Sequence, residues 1–145
     1  MIRKCCQIDY FIRGEDRVPA ILNYLLHLAT AVALVMAYFV IYTRITPYNE
    51  VALIRAGNQA AALSLGGTLI GFSITIASAL VHTADYAQFL GWAGGAMLVQ
   101  VLVFYVATRL LKMSKDQIEA NNAAFGTLLG SLSISIGLVN AGAIS

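Results

Sequence analysis

The sequence predicts an all-α integral membrane protein whose four transmembrane helices form two tandem, parallel two-helix repeats. Three observations carry this reading. Hydrophobic residues make up 59% of the chain and charged residues 11%, against roughly 45–50% and about 25% in soluble domains. The sixteen Lys, Arg, Asp and Glu residues gather in 1–17, 44–55, 85 and 109–119, leaving charge-free stretches at 18–43, 56–84, 86–108 and 120–145. Finally, the second half of the chain repeats the first.

Each charge-free stretch exceeds the ~20 residues that carry a helix across ~30 Å of hydrocarbon. Helices are the required form, because a span in lipid must satisfy its own backbone polar groups. The stretches are not alternating ten-residue strands, which speaks against an outer-membrane barrel. The net charge of +2 forms no basic stripe, so no nucleic acid partner is expected.

Residues 1–19 read as a charged N-terminal interfacial tail, in which Ile2, Ile8, Tyr10, Phe11 and Ile12 are mixed with charges. Charges at 13–17 and the length of the apolar run that follows speak against a secretory signal. The adjacent Cys5 and Cys6 lie outside the spans, with no second pair for a disulfide framework or zinc site. The first repeat, 20–83, holds spans at about 20–43 and 58–82; the second, 84–145, holds spans at about 87–109 and 121–143. Pro19 suits the first turn of a helix, and Pro47 ends the first span. Residues 50–57 suit a short interfacial helix, and 112–120 a polar connection. Tyr24 at one end of the first span, with Tyr38 and Tyr42 at the other, suits an aromatic belt.

The repeat emerges on shifting the sequence by 63 residues. Asn58-Gln59-Ala60-Ala61 then falls on Asn121-Asn122-Ala123-Ala124, and Gly67-Thr68-Leu69 on Gly130-Ser131-Leu132. A unit that crosses twice returns to its starting side. The two copies therefore share one orientation, unlike the inverted repeats of many transporters.

The candidate residues sit mostly in the second and fourth spans. Ser64, Gly67 and Gly71 in one, with Gly126, Gly130, Ser133 and Gly137 in the other, form small-residue faces. Such faces let helix backbones approach closely in lipid, or line a narrow path. Asn58, Gln59, Asn121 and Asn122 open the two helices and suit either N-capping or a two-fold polar site. Gln100 and Asn140 lie within spans, where an amide needs an interhelical partner. Apart from Arg109 at the very end of the third span, no span contains Asp, Glu, Lys or Arg, the residues that ion-coupled carriers use within the membrane to bind and release their ion. His27, His82 and Asp85 offer at most a weak metal site, so neither metal nor cofactor is expected. No nucleophile elbow, phosphate loop or HExxH motif is present, so no enzyme is expected.

The runs Ile45-Thr46-Pro47-Tyr48-Asn49-Glu50, Gly57-Asn58-Gln59-Ala60-Ala61-Ala62 and Gly137-Leu138-Val139-Asn140-Ala141, together with the duplication, resemble the bacterial family called domain of unknown function 350, the YjfL-type proteins. The resemblance covers about 20–145. It implies a multi-pass protein of the bacterial inner membrane and supplies no catalytic residues. Relatives are often encoded beside phage-shock-protein-A-like and glutathionylspermidine-synthase-like proteins, which implies, by analogy only, a role in envelope maintenance. The expected partners are the lipid bilayer and either a second copy of the chain or another membrane protein. The expected function is a helix-packing, self-associating bundle, with a small pore or facilitative channel as the alternative. Arg44, Arg55, Arg109, Lys112 and Lys115 flank the spans on one side, against Arg13 and Arg17 close in on the other, with Arg3 and Lys4 further off at the edge of the counting window. By the positive-inside rule this favours periplasmic termini.

Overall fold

The computed structural model describes residues 17–83, 85–110 and 114–144. Cys5, Cys6, Lys112 and the expected interfacial tail before Arg17 lie outside them. Among the described residues six helices follow in order: α1 Arg17–Ile45, α2 Glu50–Arg55, α3 Gln59–His82, α4 Tyr86–Leu110, α5 Ser114–Glu119 and α6 Ala123–Ala143. Four are long and apolar enough to cross a membrane, over Ala20–Ile45, Gln59–His82, Tyr86–Leu110 and Ala123–Ala143. These bounds fall within two residues of the expected spans. The described residues contain no strand.

Helix ends follow local chemistry. The Thr46 N–H still donates to the Tyr42 carbonyl at 3.1 Å, but Pro47 disfavours helical geometry at the residue before it, and α1 stops. The short helix expected at 50–57 is α2, capped by Asn49, whose side chain accepts from the Ala52 N–H. The connection expected at 112–120 also contains a helix, α5. Its sequence, Ser-Lys-Asp-Gln-Ile-Glu, has one apolar residue and so no periodicity to announce it.

The chain divides into two compact units, one reaching to Val32 and the other running from Ala33. In the first, Ile21, Leu22, Tyr24, Leu25, Leu26, Leu28 and Val32 are all exposed. Two of its polar side chains reach carbonyls of their own helix, His27 that of Asn23 and Thr30 that of Leu26. In the second unit, α3 and α6 run side by side in the same direction, with Ala60 against Gly126 at one end and Ser78 bonded to the Ala141 carbonyl at the other. Tyr48, Ala60, Ala61, Ile118 and Leu129 form a core cluster beneath the two short helices. Further along, Tyr38 stacks near Phe72 and Tyr42 near Phe104, with ring centroids 4.5 Å apart in each pair.

Tyr38 and Tyr42 are therefore not belt residues. They are 0% and 2% exposed, because their i, i+4 spacing puts both on the face of α1 that packs inward. Tyr24, at 63% exposed, has the position the belt reading expects.

Candidate functional site

The first feature is the seam between α3 and α6. A Cβ on Gly67 would land on the Gly130 backbone, one on Gly71 on Ser133, one on Gly126 on Ala60, and one on Gly137 on Gly71. The seam is thus a backbone-to-backbone contact with no lumen between the two small-residue faces. Hydroxyls lace it: Thr75 donates to the Gly137 carbonyl at 3.1 Å and Ser78 to the Ala141 carbonyl at 2.8 Å. Dispersion between closely apposed backbones drives such contacts in lipid.

The second feature is a pair of matching turns. Gly57 and Asn58 donate to the carbonyls of Ile54 and Leu53, and Asn121 and Asn122 to those of Ile118 and Gln117. Each short helix therefore ends in a Schellman motif, whose left-handed residue is Gly57 (φ 85°) in one and Asn121 (φ 58°) in the other. The next residue caps the long helix: Asn58 accepts from the Ala61 N–H and Asn122 from the Phe125 N–H. The matching positions are 57 with 121 and 58 with 122, an offset of one residue from the sequence alignment of Asn58 with Asn121.

That offset frees Asn121 for a different task. Its Oδ1 accepts from the backbone N–H of Gln59 at 2.7 Å and of Ala60 at 3.2 Å, so the left-handed turn before α6 caps the start of α3. In return the Asn58 Nδ2 donates to the Ile118 carbonyl at 2.7 Å. Asn122 donates to the Gln117 side chain. Gln59 contributes its backbone, and the residue is exposed.

The third feature is a buried polar track that hydropathy alone does not announce. Glu50 is 1% exposed, and neither carboxylate oxygen has a hydrogen-bond partner of good geometry. The Tyr42 hydroxyl hydrogen-bonds Ser64 at 3.1 Å, which gives Ser64 its role. Deeper in, the Tyr38 hydroxyl lies beside Gln100 and Thr68, and the Gln100 Nε2 donates to the Ser133 carbonyl at 2.9 Å. The Tyr38 and Tyr48 hydroxyls and the Gln100 Oε1 are enclosed without a partner of good geometry. Asn140 makes a longer contact, 3.4 Å, to the Ala96 carbonyl.

Burial pushes the Glu50 carboxyl up to about 7, while the neighbouring Tyr42 and Thr46 hydroxyls pull the other way. Burial, and then the Glu50 charge, also push the Tyr48 phenol above its ordinary value. Beside Glu50 an open depression of about 450 Å³ is lined by Thr43, Arg44, Thr46, Pro47, Tyr48 and their neighbours. Glu50 lies outside the four spans, so the rule that no span holds an acid stands. What the sequence reading missed is that this loop acid folds under the bundle. The available signal was Pro47-Tyr48-Asn49-Glu50, where an Asn cap puts the acid in the first turn of α2. Among the described residues no cluster of three or more His, Cys, Asp or Glu could hold a metal ion. His82 turns back to the Ser78 carbonyl of its own helix.

These features define a multi-pass helical membrane protein closed by a glycine seam. The family described as Domain of Unknown Function (DUF350) matches residues 17–144, and the chain belongs to it. The chain is 32% identical over 124 residues to the UPF0719 inner membrane protein YjfL of Escherichia coli (strain K12), covering 86% of this chain and 94% of that one. It is 27% identical over 113 residues to the UPF0719 transmembrane protein YshE of Bacillus subtilis (strain 168), covering 76% and 82%. No solved structure matches. The chain is an inner-membrane protein.

Proposed function

We propose that the chain is a non-enzymatic helix-packing bundle that associates with a second copy of itself or with another membrane protein, serving maintenance of the envelope. The observation that supports association is the outer face of α4. Gly91 and Gly95 stand one turn apart, and a Cβ added at either would meet nothing within 4 Å. The Gly67/Gly71 and Gly126/Gly130 faces, by contrast, are used up inside the chain. A small-xxx-small face left open in lipid admits another helix backbone. The envelope role rests on the family resemblance alone. Within this reading the chain is built of two tandem units, 20–83 and 84–145, a division supported by the matching Schellman turns.

The test is association of the full chain in lipid vesicles, read by energy transfer between labelled copies. Gly91→Leu with Gly95→Leu should weaken it, while Gly66→Leu, at another open position, should not. Equal association of all three proteins would sink the reading.

A facilitative pore is the second reading, favoured by the buried polar track from Glu50 through Tyr42 and Ser64 towards Gln100. With the α3–α6 seam closed, the path would follow the Tyr42 side of α3. Ser64→Leu should then cut flux while leaving association intact.

A further inference from the structure

A carboxylate withdrawn from water needs a counter-charge, a proton or several hydrogen bonds. Glu50 has 1% of its surface exposed, and both of its oxygens lack a partner of good geometry. The groups around it are neutral oxygens: the Tyr42 and Thr46 hydroxyls adjoin the carboxyl, and the Tyr48 hydroxyl, itself unpartnered, lies close to Tyr42 and Ser64. Arg44 lines the neighbouring depression yet leaves both Glu50 oxygens without a bond. From α3 the group that reaches this cluster is Ser64, and α3 carries no titratable side chain before His82; α6 carries none at all. The titratable groups that interact with Glu50 are Tyr42, Tyr48 and, deeper in, Tyr38, with Arg44 in the neighbouring depression.

We propose that Glu50, with the hydroxyls of Tyr42, Tyr48 and Thr46, forms a binding site for a single alkali cation, entered from the depression beside Pro47. The donor set decides the class of ligand. All donors are hard oxygens, which suit alkali and alkaline-earth ions rather than zinc or copper. One carboxylate balances one positive charge, whereas a buried divalent ion would remain uncompensated. The proton competes for the same oxygens, so occupancy by the metal depends on pH.

The test uses the full chain in lipid nanodiscs, with thermal unfolding followed in sodium or potassium chloride against choline chloride at equal ionic strength. Sodium or potassium should raise the Tm of the wild type over choline. With the carboxyl at about 7, the apparent affinity should be about tenfold weaker at pH 6 than at pH 8.5, because the proton holds the site at the lower pH. Adding the salt to weakly buffered protein near pH 7 should release protons. Glu50→Gln should abolish both effects, and Tyr48→Phe should weaken the affinity severalfold without removing the proton release. A wild type that responds identically to sodium, potassium and choline overturns the proposal, and that comparison needs no variant to fold. A carboxyl infrared band that titrates near pH 7 without any alkali dependence overturns it too, leaving a proton site only. So does a folded Glu50→Gln protein that retains the alkali response.

Discussion

Gly67 of α3 and Gly130 of α6 face each other so closely that a methyl group on Gly67 would fall on the Gly130 backbone. Their neighbour Gly66 looks into open space. Adjacent glycines on one helix thus differ in role, one making a backbone contact and the other having room for a side chain.

The two positions should therefore respond oppositely to the same change. Gly67→Ala forces two backbones apart and should destabilise the bundle by about 1–3 kcal/mol, the usual range for overpacking. Gly66→Ala should be neutral or stabilising by up to about 1 kcal/mol, since alanine favours the helix. Unfolding of each variant in a denaturing-detergent titration measures both. Similar losses at the two sites would contradict the seam.

Asn121 combines a left-handed backbone (φ 58°) with a cap that reaches across to α3. Asn121→Gly should preserve the turn and lose only the cap, costing about 1 kcal/mol. Asn121→Ala should add the strain of a left-handed alanine, roughly 1–2 kcal/mol more. Equal stability of the two variants in the same titration would show that the backbone conformation is not what selects Asn there.

Glu50 makes stability depend on pH with a definite sign. Its folded value, about 7, lies above the ordinary 4.5, so the fold prefers the protonated acid. That contribution is fully present below about pH 4.5 and is lost as pH rises through about 7. The whole change is about 3 kcal/mol. In choline buffers the Tm should fall between pH 5 and pH 8, and Glu50→Gln should flatten the profile. A wild-type Tm that rises over this interval would contradict the burial of the acid.

Orientation follows from the basic residues beside the spans. Arg44 and Arg55 flank the first loop, and Arg109 and Lys115 the third, so the positive-inside rule predicts a cytoplasmic side for these loops. Alkaline phosphatase fused after Ser145 should then be active and a fluorescent protein fused there dark; the opposite result reverses the topology.

The four spans were legible in the sequence because their signal is one-dimensional: a run of apolar residues long enough for the bilayer is a helix whatever it packs against. The small-residue faces were equally plain, since glycines four apart share a face of any helix. Which of those faces would close inside the chain was not. Gly67/Gly71, Gly126/Gly130 and Gly91/Gly95 have the same spacing, and only the parallel docking of α3 on α6 separates the first two from the third. The one-residue offset between the alignment of Asn58 with Asn121 and their roles in the fold has a similar origin. Both residues suit a cap or a left-handed turn, and backbone geometry assigns one role to each. Glu50 and Tyr38 show the limit most clearly. Hydropathy puts an acid after a proline at the surface and a tyrosine near a span end in the interface. Their burial comes from tertiary contacts, of Glu50 with the Tyr42 hydroxyl and of Tyr38 with Phe72 of α3, that no local pattern encodes.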